Sequence, residues 1–128
     1  MIGLDTNVIV RYLTKDDETQ WRAANLIITS GEGCFITNVV LCELVWVLRG
    51  KPYKFERVDI LKTIEAMIGS PTFEFENRSA VYQALLQAKV GSADFSDYLI
   101  GSVANLAGCS ETVTFDRKLK NENRFRCL

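Results

Sequence analysis

Five acidic residues lie where surface charge alone does not explain them. Asp5 and Asp116 each follow a short run of strand-forming residues, and Glu43 lies inside the otherwise apolar segment 39–48. Asp94 and Asp97 are three residues apart, so both face the same side at the start of a predicted helix. In open α/β sheets, ligands bind beyond the carboxyl ends of the strands. The acids are therefore candidates for a common site at one sheet edge.

Each of these acids also has a purely structural explanation. Asp5 and Asp116 are suited to capping the next helix or turn. Asp94 and Asp97 would stabilise a helix N-terminus through its dipole, and Glu43 would pair with a distant Lys or Arg if it is buried. Residue type and spacing leave both explanations open for each acid.

A divalent cation would make such a cluster tolerable. Two unit charges about 4 Å apart repel by roughly 4 kcal/mol at an effective dielectric constant of 20, against a net domain stability of about 5–15 kcal/mol. With oxygen ligands only, Mg²⁺ or Mn²⁺ is the expected ion. A metal that lowers the pKa of bound water and stabilises a leaving oxygen is suited to phosphodiester hydrolysis.

Composition narrows the chemistry further. The chain has no histidine, which excludes Ser-His-Asp and Cys-His triads and nearly all catalytic zinc sites. The formal net charge of −1 does not indicate a protein that binds nucleic acid through phosphate contacts alone. Hydrolysis would therefore depend on carboxylates, lysines or hard metals.

Strand and helix patterns alternate along the chain, which favours a parallel sheet covered by helices on both faces. At 128 residues we expect one domain, residues 1–128. The predicted strands lie at about 2–4, 34–36, 73–75, 112–115 and 125–127, and the predicted helices at about 7–13, 18–29, 39–48, 55–68, 78–88 and 94–107. The helix at 39–48 is apolar nearly all round and is expected to be buried on several sides.

The expected location is the cytoplasm. No apolar run approaches the roughly 20 residues of a membrane span, and the N-terminus has no signal-peptide pattern. The four cysteines are scattered without a Cys-x-x-Cys pair, which fits a reducing compartment better than a disulfide framework.

Four blocks of residues resemble PIN-domain ribonucleases, in particular the VapC-type toxins of bacterial toxin–antitoxin systems. The blocks are DTNV at 5–8, CELVWVLR at 42–49, DFSDYLI at 94–100 and TFDRK at 114–118. They occur in the family's order and span essentially the whole chain. The resemblance implies a five-stranded, mainly parallel sheet flanked by helices, an acidic Mg²⁺ or Mn²⁺ site, and endonucleolytic cleavage of RNA.

The resemblance also assigns roles residue by residue. The family's four acids match Asp5, Glu43, Asp97 and Asp116, and Asp94 matches an additional acid of the VapC-like branch. Three neighbouring polar residues match positions that border the site: Thr6, Asn7 and Thr114. The resemblance further implies a homodimer and a cognate antitoxin that covers the site, with operator DNA bound only through the toxin–antitoxin complex.

Basic residues around the acids are candidates for contact with an RNA backbone, and one tyrosine is a candidate for stacking on an unpaired base. These candidates are Arg11, Arg49, Lys51, Tyr53, Arg117 and Lys118. A solvated surface or an antitoxin contact would explain the same residues. Trp21 and Trp46 have helical core spacing and are expected to pack rather than to stack on bases.

The sequence counts against two other functions and leaves two alternatives open. A dehalogenase-like phosphatase would need a second Asp where Asn7 stands, and a receiver domain would need adjacent acids after the first strand. A structure-specific DNA nuclease would share the metal site but usually needs additional helices. A catalytically silent PIN-fold interaction module would retain the fold without turnover.

Overall fold

The structure is a computed structural model and describes residues 1–128. The chain forms two compact units, Met1–Glu76 and Asn77–Leu128. Six helices and five short strands form, as the sequence predicts, with a pair of helices between each two of the first four strands. No helix has the length and apolar character needed to cross a membrane.

The first unit contains three parallel strands and four helices. The strands are β1 (Ile2–Gly3), β2 (Cys34–Ile36) and β3 (Phe73–Phe75), in the order β1-β2-β3. The helices are α1 (Thr6–Thr14), α2 (Glu18–Ile28), α3 (Asn38–Arg49) and α4 (Arg57–Gly69). Ile9, Leu41, Leu44, Leu48 and Ile64 are among the most deeply buried side chains of this unit.

Local capping explains where several of these helices begin. The Asp17 carboxylate accepts the Gln20 N–H at 3.0 Å before α2, and the Thr37 hydroxyl accepts the Val40 N–H at 3.1 Å before α3. Such side chains satisfy backbone N–H groups that have no partner within the helix. Helices α2 and α3 therefore begin where the sequence supplies a short polar acceptor.

The second unit packs α5 (Arg78–Val90) against α6 (Phe95–Leu106). The two parallel strands β4 (Thr112–Thr114) and β5 (Phe125–Cys127) enclose a 3₁₀ turn at Arg117–Leu119. Tyr98 is fully buried on α6, and its hydroxyl donates to Glu122 Oε1 at 2.9 Å. This bond ties α6 to the loop that precedes β5.

The prediction of a single five-stranded sheet is wrong in how the strands pair. All five strands form, but they pair as a three-stranded and a two-stranded parallel sheet. The Ile2 N–H donates to the Gly33 carbonyl, just before β2, at 2.9 Å, and the Leu4 N–H donates to the Phe35 carbonyl of β2 at 3.0 Å. Because alternate residues of a strand bond to opposite sides, β1 has only Gly3 left for another neighbour. One residue is too short for a second ladder.

Candidate active site

Asp5 occupies the N-cap position of α1 but does not act as a cap. Its backbone is extended, with φ −79° and ψ 157°, and its side chain accepts no capping hydrogen bond. The residue is exposed and follows the buried Leu4 at the end of β1. The capping explanation for this acid is therefore not supported, and its carboxylate is available for another role.

Thr6 connects the first acid block to the second. Its side chain is buried, and Oγ1 donates to Glu43 Oε1 at 3.3 Å. The two residues are 37 positions apart in the chain. The contact holds the Glu43 side chain beside Thr6, the first residue of α1, which directly follows Asp5 in the chain. The structure thus brings the first two acid blocks together within the first unit, and Asn7 lies exposed on the first turn of α1.

Glu43 itself is exposed, which corrects the expectation that α3 buries it. The core face of α3 consists of Val40, Leu41, Leu44, Val45 and Leu48. The opposite face is open to solvent although it carries apolar residues: Val39 is 69% and Trp46 is 79% exposed. Hence the cost of burying a charge does not explain Glu43, and its position rests on the contact with Thr6.

Asp94 and Asp97 form a capping box at the beginning of α6. The Asp94 N–H donates to Asp97 Oδ2 at 3.3 Å, and Asp94 occupies the N-cap position with extended backbone. The structural explanation for this pair is therefore correct as far as it goes. The capping box uses Oδ2 of Asp97 and does not engage Oδ1.

Asp116 ends β4 in a tight turn. Its Oδ1 accepts the Lys118 N–H at 2.9 Å, and its own N–H donates to Thr114 Oγ1 at 3.0 Å. Asp116 does cap the 3₁₀ turn, as the structural alternative proposes. The Thr114 hydroxyl holds the backbone of Asp116 and so helps to aim its carboxylate.

The acids of the second unit influence one another. Burial raises the pKa of the Asp97 carboxyl, and the negative charges of Asp94 and Asp116 raise it further. The backbone hydrogen bond from Asp94 and the Lys118 cation act in the opposite direction. The charge of Asp116, which follows β4, thus acts on a carboxyl at the start of α6. A bound cation would relieve this repulsion.

The donor set fits a hard dication in its chemistry. The first unit offers Asp5 and Glu43, and the second offers Asp94, Asp97 and Asp116, so every ligand would be a carboxylate oxygen. In this structure, however, no group of three acidic, histidine or cysteine side chains is arranged to hold a metal ion. Hydrogen bonds within each unit hold one oxygen of Glu43, of Asp97 and of Asp116.

Two of the predicted RNA-contact residues bind within the protein. Arg11 Nη1 donates to the Tyr53 hydroxyl at 2.9 Å and pairs with Asp16 at 3.2 Å. The Tyr53 hydroxyl donates to Asp16 Oδ2 at 2.6 Å and is the main reason that the pKa of Asp16 is lowered. The Arg11 guanidinium and the Tyr53 hydroxyl therefore support the loop at Asp16.

Arg49 and Lys51 line an open cavity of about 640 Å³ together with Trp46, Val47 and Gly50. The expectation that Trp46 packs in the core is wrong, since its ring is mostly exposed. Trp21 is half-buried, and Lys15 Nζ lies 4.9 Å from the centre of its ring. Trp46 is three residues after Glu43, and that spacing was the only sequence signal linking it to the acids.

A second concave surface lies beside Asp5. It has a volume of about 500 Å³ and is formed by β1, α1 and α2, with Leu4, Val8, Ala24 and Ile27 in its wall and Arg11 among its lining residues. Asn7, which the sequence places at the border of the site, also lines it. Asn7 thus borders an apolar groove that also includes Leu4, the residue before the first acid. Arg117 and Lys118 are exposed directly after Asp116.

Comparison with known proteins adds independent information. A family model described as PIN domain matches residues 2–123. A curated relative, the VapC ribonuclease of Aquifex aeolicus (strain VF5), is 29% identical over 120 residues, which covers 91% of this chain and 88% of the relative. The family match extends across the two compact units and includes all five acids.

Proposed function

Because this chain belongs to the PIN-domain family, we propose that it is a VapC-type endoribonuclease, the toxin of a toxin–antitoxin pair, and that it requires Mg²⁺ or Mn²⁺. The observation that carries the proposal is the family match over residues 2–123, a range that contains all five acids. The VapC ribonuclease of Aquifex aeolicus supports RNA as the substrate.

In this proposal Asp5, Glu43, Asp97 and Asp116 hold the metal, and Asp94 assists as the acid specific to this branch. The bound ion would supply an activated water and would stabilise the leaving oxygen of the phosphodiester. Support from the structure comes from the Asp5 carboxylate, which is not used for capping, and from the mutual repulsion of Asp97 and Asp116.

The neighbouring polar residues have positioning roles. Thr6 donates to Glu43, which holds that carboxylate in one orientation. Thr114 accepts from the backbone of Asp116 and fixes the turn that carries the fourth acid. Such supporting hydrogen bonds commonly determine how ligands are oriented. Arg117 and Lys118 follow Asp116 and are exposed, so they are suited to contacting an RNA backbone.

We also propose the partners that the VapC assignment implies. These are a cognate antitoxin, a second copy of the chain in a homodimer, and operator DNA bound only through the antitoxin complex, all in the cytoplasm. For the antitoxin, the apolar groove beside Asp5 is a suitable surface because Val8 and Ile27 line it. A segment bound there would lie next to the first acid.

The decisive experiment measures cleavage of a labelled RNA by the purified protein with Mg²⁺ or Mn²⁺ and with EDTA. Asp5→Asn is expected to reduce the rate by about 100-fold or more, the size of effect produced by removing one stabilising group from an active site. Its circular dichroism spectrum should be unchanged, because Asp5 makes no capping bond. Asp17→Asn is the matched control, an N-cap acid at the start of α2, and should retain activity.

Equal cleavage by the wild type and Asp5→Asn would contradict the assignment of Asp5. Metal-independent cleavage would contradict the proposed chemistry. Cleavage of single-stranded DNA at the rate of RNA would favour the DNA nuclease, and the absence of any cleavage with intact binding would favour the silent interaction module.

A further inference from the structure

The outward face of α3 carries a large aromatic side chain that the fold does not use. Trp46 is 79% exposed, although tryptophan is usually well buried in folded proteins. It lies on the same face as Val39, which is 69% exposed, and Glu43. Because α3 rises about 1.5 Å per residue, Trp46 lies only about 4.5 Å further along the helix axis than Glu43.

The surroundings of Trp46 are positively charged. The indole and the side chains of Arg49 and Lys51 line the same open cavity of about 640 Å³. Lys54 is exposed in the loop that follows. An aromatic ring flanked by cations is the combination that single-stranded nucleic acids bind, since bases stack on the ring and phosphates pair with the cations.

We propose that Trp46 is a base-stacking platform for single-stranded RNA, and that Arg49 and Lys51 hold the adjoining phosphates. This subsite rests on the proposed function, because it lies one helical turn beyond Glu43 and would receive the strand next to the acids. Protein interfaces are enriched in Trp and Arg but depleted in Lys and Glu, so Glu43 and Lys51 on either side of Trp46 favour a nucleic acid over a protein partner. Trp46 lies between an acid on its own helix face and two cations.

The first test measures binding without cleavage. A short 2′-O-methyl oligoribonucleotide is not cleaved in EDTA. Its binding to Trp46, Arg49 and Lys51 requires no metal, so affinity can be measured under these conditions. In a Trp21→Phe background Trp46 is the sole tryptophan, so stacking should quench its fluorescence on titration. An emission that stays constant at saturating oligonucleotide, with binding confirmed by anisotropy, would overturn the platform.

The second test compares affinities. Trp46→Ala should weaken oligonucleotide binding by about fivefold or more, as expected for the loss of one base stack, and Trp46→Phe should restore most of the affinity. Lys51→Gln should reduce the slope of log affinity against log salt by about 0.7, the value for one phosphate contact on a single strand. Val39→Ala is the matched control from the same exposed face and should bind like the wild type.

The outcomes separate this inference from the proposed function. If Asp5→Asn retains cleavage but Trp46→Ala loses binding, the site assignment fails and the platform stands. If Trp46→Ala keeps full oligonucleotide affinity, the platform fails whatever the cleavage result. If Trp46→Ala also alters the mass measured by light scattering, this face is a contact between copies of the chain and the platform is overturned.

Discussion

Replacing Asp97 by Asn tests whether the acids of the second unit repel one another in the metal-free protein. Asn can still accept the Asp94 N–H that Asp97 Oδ2 accepts at 3.3 Å, so the capping box keeps its geometry and loses one charge. Side chains three residues apart on a helix have Cβ atoms about 5–6 Å apart. At about 6 Å, two charges repel by roughly 0.7 kcal/mol in an aqueous dielectric.

Asp116 adds a second repulsion of similar sign, so removing the charge should stabilise by about 1 kcal/mol after allowance for solvent screening. The lost attraction to the helix dipole costs about 0.3–1 kcal/mol. Asp97→Asn should therefore be neutral to slightly stabilising. The matched control is Asp59→Asn, because Asp59 occupies the same position in the capping box of α4 and accepts the Glu56 N–H at 3.0 Å.

The control variant loses the dipole term and also a like-charge repulsion, because the N-cap of α4 is Glu56. The two variants should therefore differ only through the burial of Asp97 and its repulsion from Asp116, by about 0.5 kcal/mol in unfolding free energy. With about 2.1 cal/mol/K of unfolding entropy per residue and 128 residues, this corresponds to about 2 °C in Tm. The assay is thermal unfolding in EDTA followed by circular dichroism. Equal Tm changes in Asp97→Asn and Asp59→Asn would refute the influence of burial and of Asp116 on Asp97.

The raised pKa of Asp97 also predicts how the stability difference depends on pH. The pKa of Asp97 in the folded protein is raised above its ordinary value of 3.8, so the folded state holds this proton more tightly than the unfolded chain. Stability from this group is then fully present below pH 3.8 and is lost as pH rises through the raised pKa. The Tm advantage of Asp97→Asn over Asp59→Asn should accordingly grow over that range and stay constant above it.

The remaining predictions concern metal, packing and the Tyr53 cluster. Mg²⁺ or Mn²⁺ at ten times its dissociation constant should raise the unfolding free energy by about 1.4 kcal/mol, measured as a Tm shift that EDTA abolishes; no shift at saturation would contradict a metal site. Gly101→Ala should destabilise by about 1–3 kcal/mol in urea unfolding, because a Cβ there would lie 2.5 Å from the Phe125 ring. Gly69→Ala, where a Cβ meets nothing within 4 Å, is its control, and equal effects would refute the clash. Tyr53→Phe should raise the pKa of Asp16, whose lowering comes mainly from the Tyr53 hydroxyl; carboxyl NMR titration would show no change if that bond is absent in solution.

The elements of this fold could be predicted because their signals are local. Gly-Pro breaks, polar caps and helical spacing lie within a few residues of each boundary, and all six helices and five strands form close to the predicted positions. The pairing of the strands could not be predicted, because it depends on hydrogen bonds between distant segments. At β1 only two residues form the strand, and no pattern in the sequence reports how many neighbours so short a strand can satisfy.

The errors at α3 have a different physical origin. Spacing identifies which residues share a helix face, but it does not reveal whether another element covers that face. Val39 and Trp46 have the spacing of a buried stripe and are nevertheless exposed. The contacts of Tyr53 were equally hidden, since Tyr53 and Asp16 are 37 residues apart in the chain.

The hydrogen bonds of the acids indicate how one carboxylate can serve both the fold and a site. Oδ2 of Asp97 accepts the Asp94 N–H in the capping box, and Oδ1 of Asp116 accepts the Lys118 N–H in the following turn. In each case the bond restricts the side-chain rotamer and thereby directs the second oxygen, which is the kind of preorganisation that a metal site needs. Asp5 has no such bond, so its substitution should affect chemistry with the least effect on folding. This difference is why Asp5→Asn gives the clearest reading of function, whereas variants of Asp97 and Asp116 report on folding and function together.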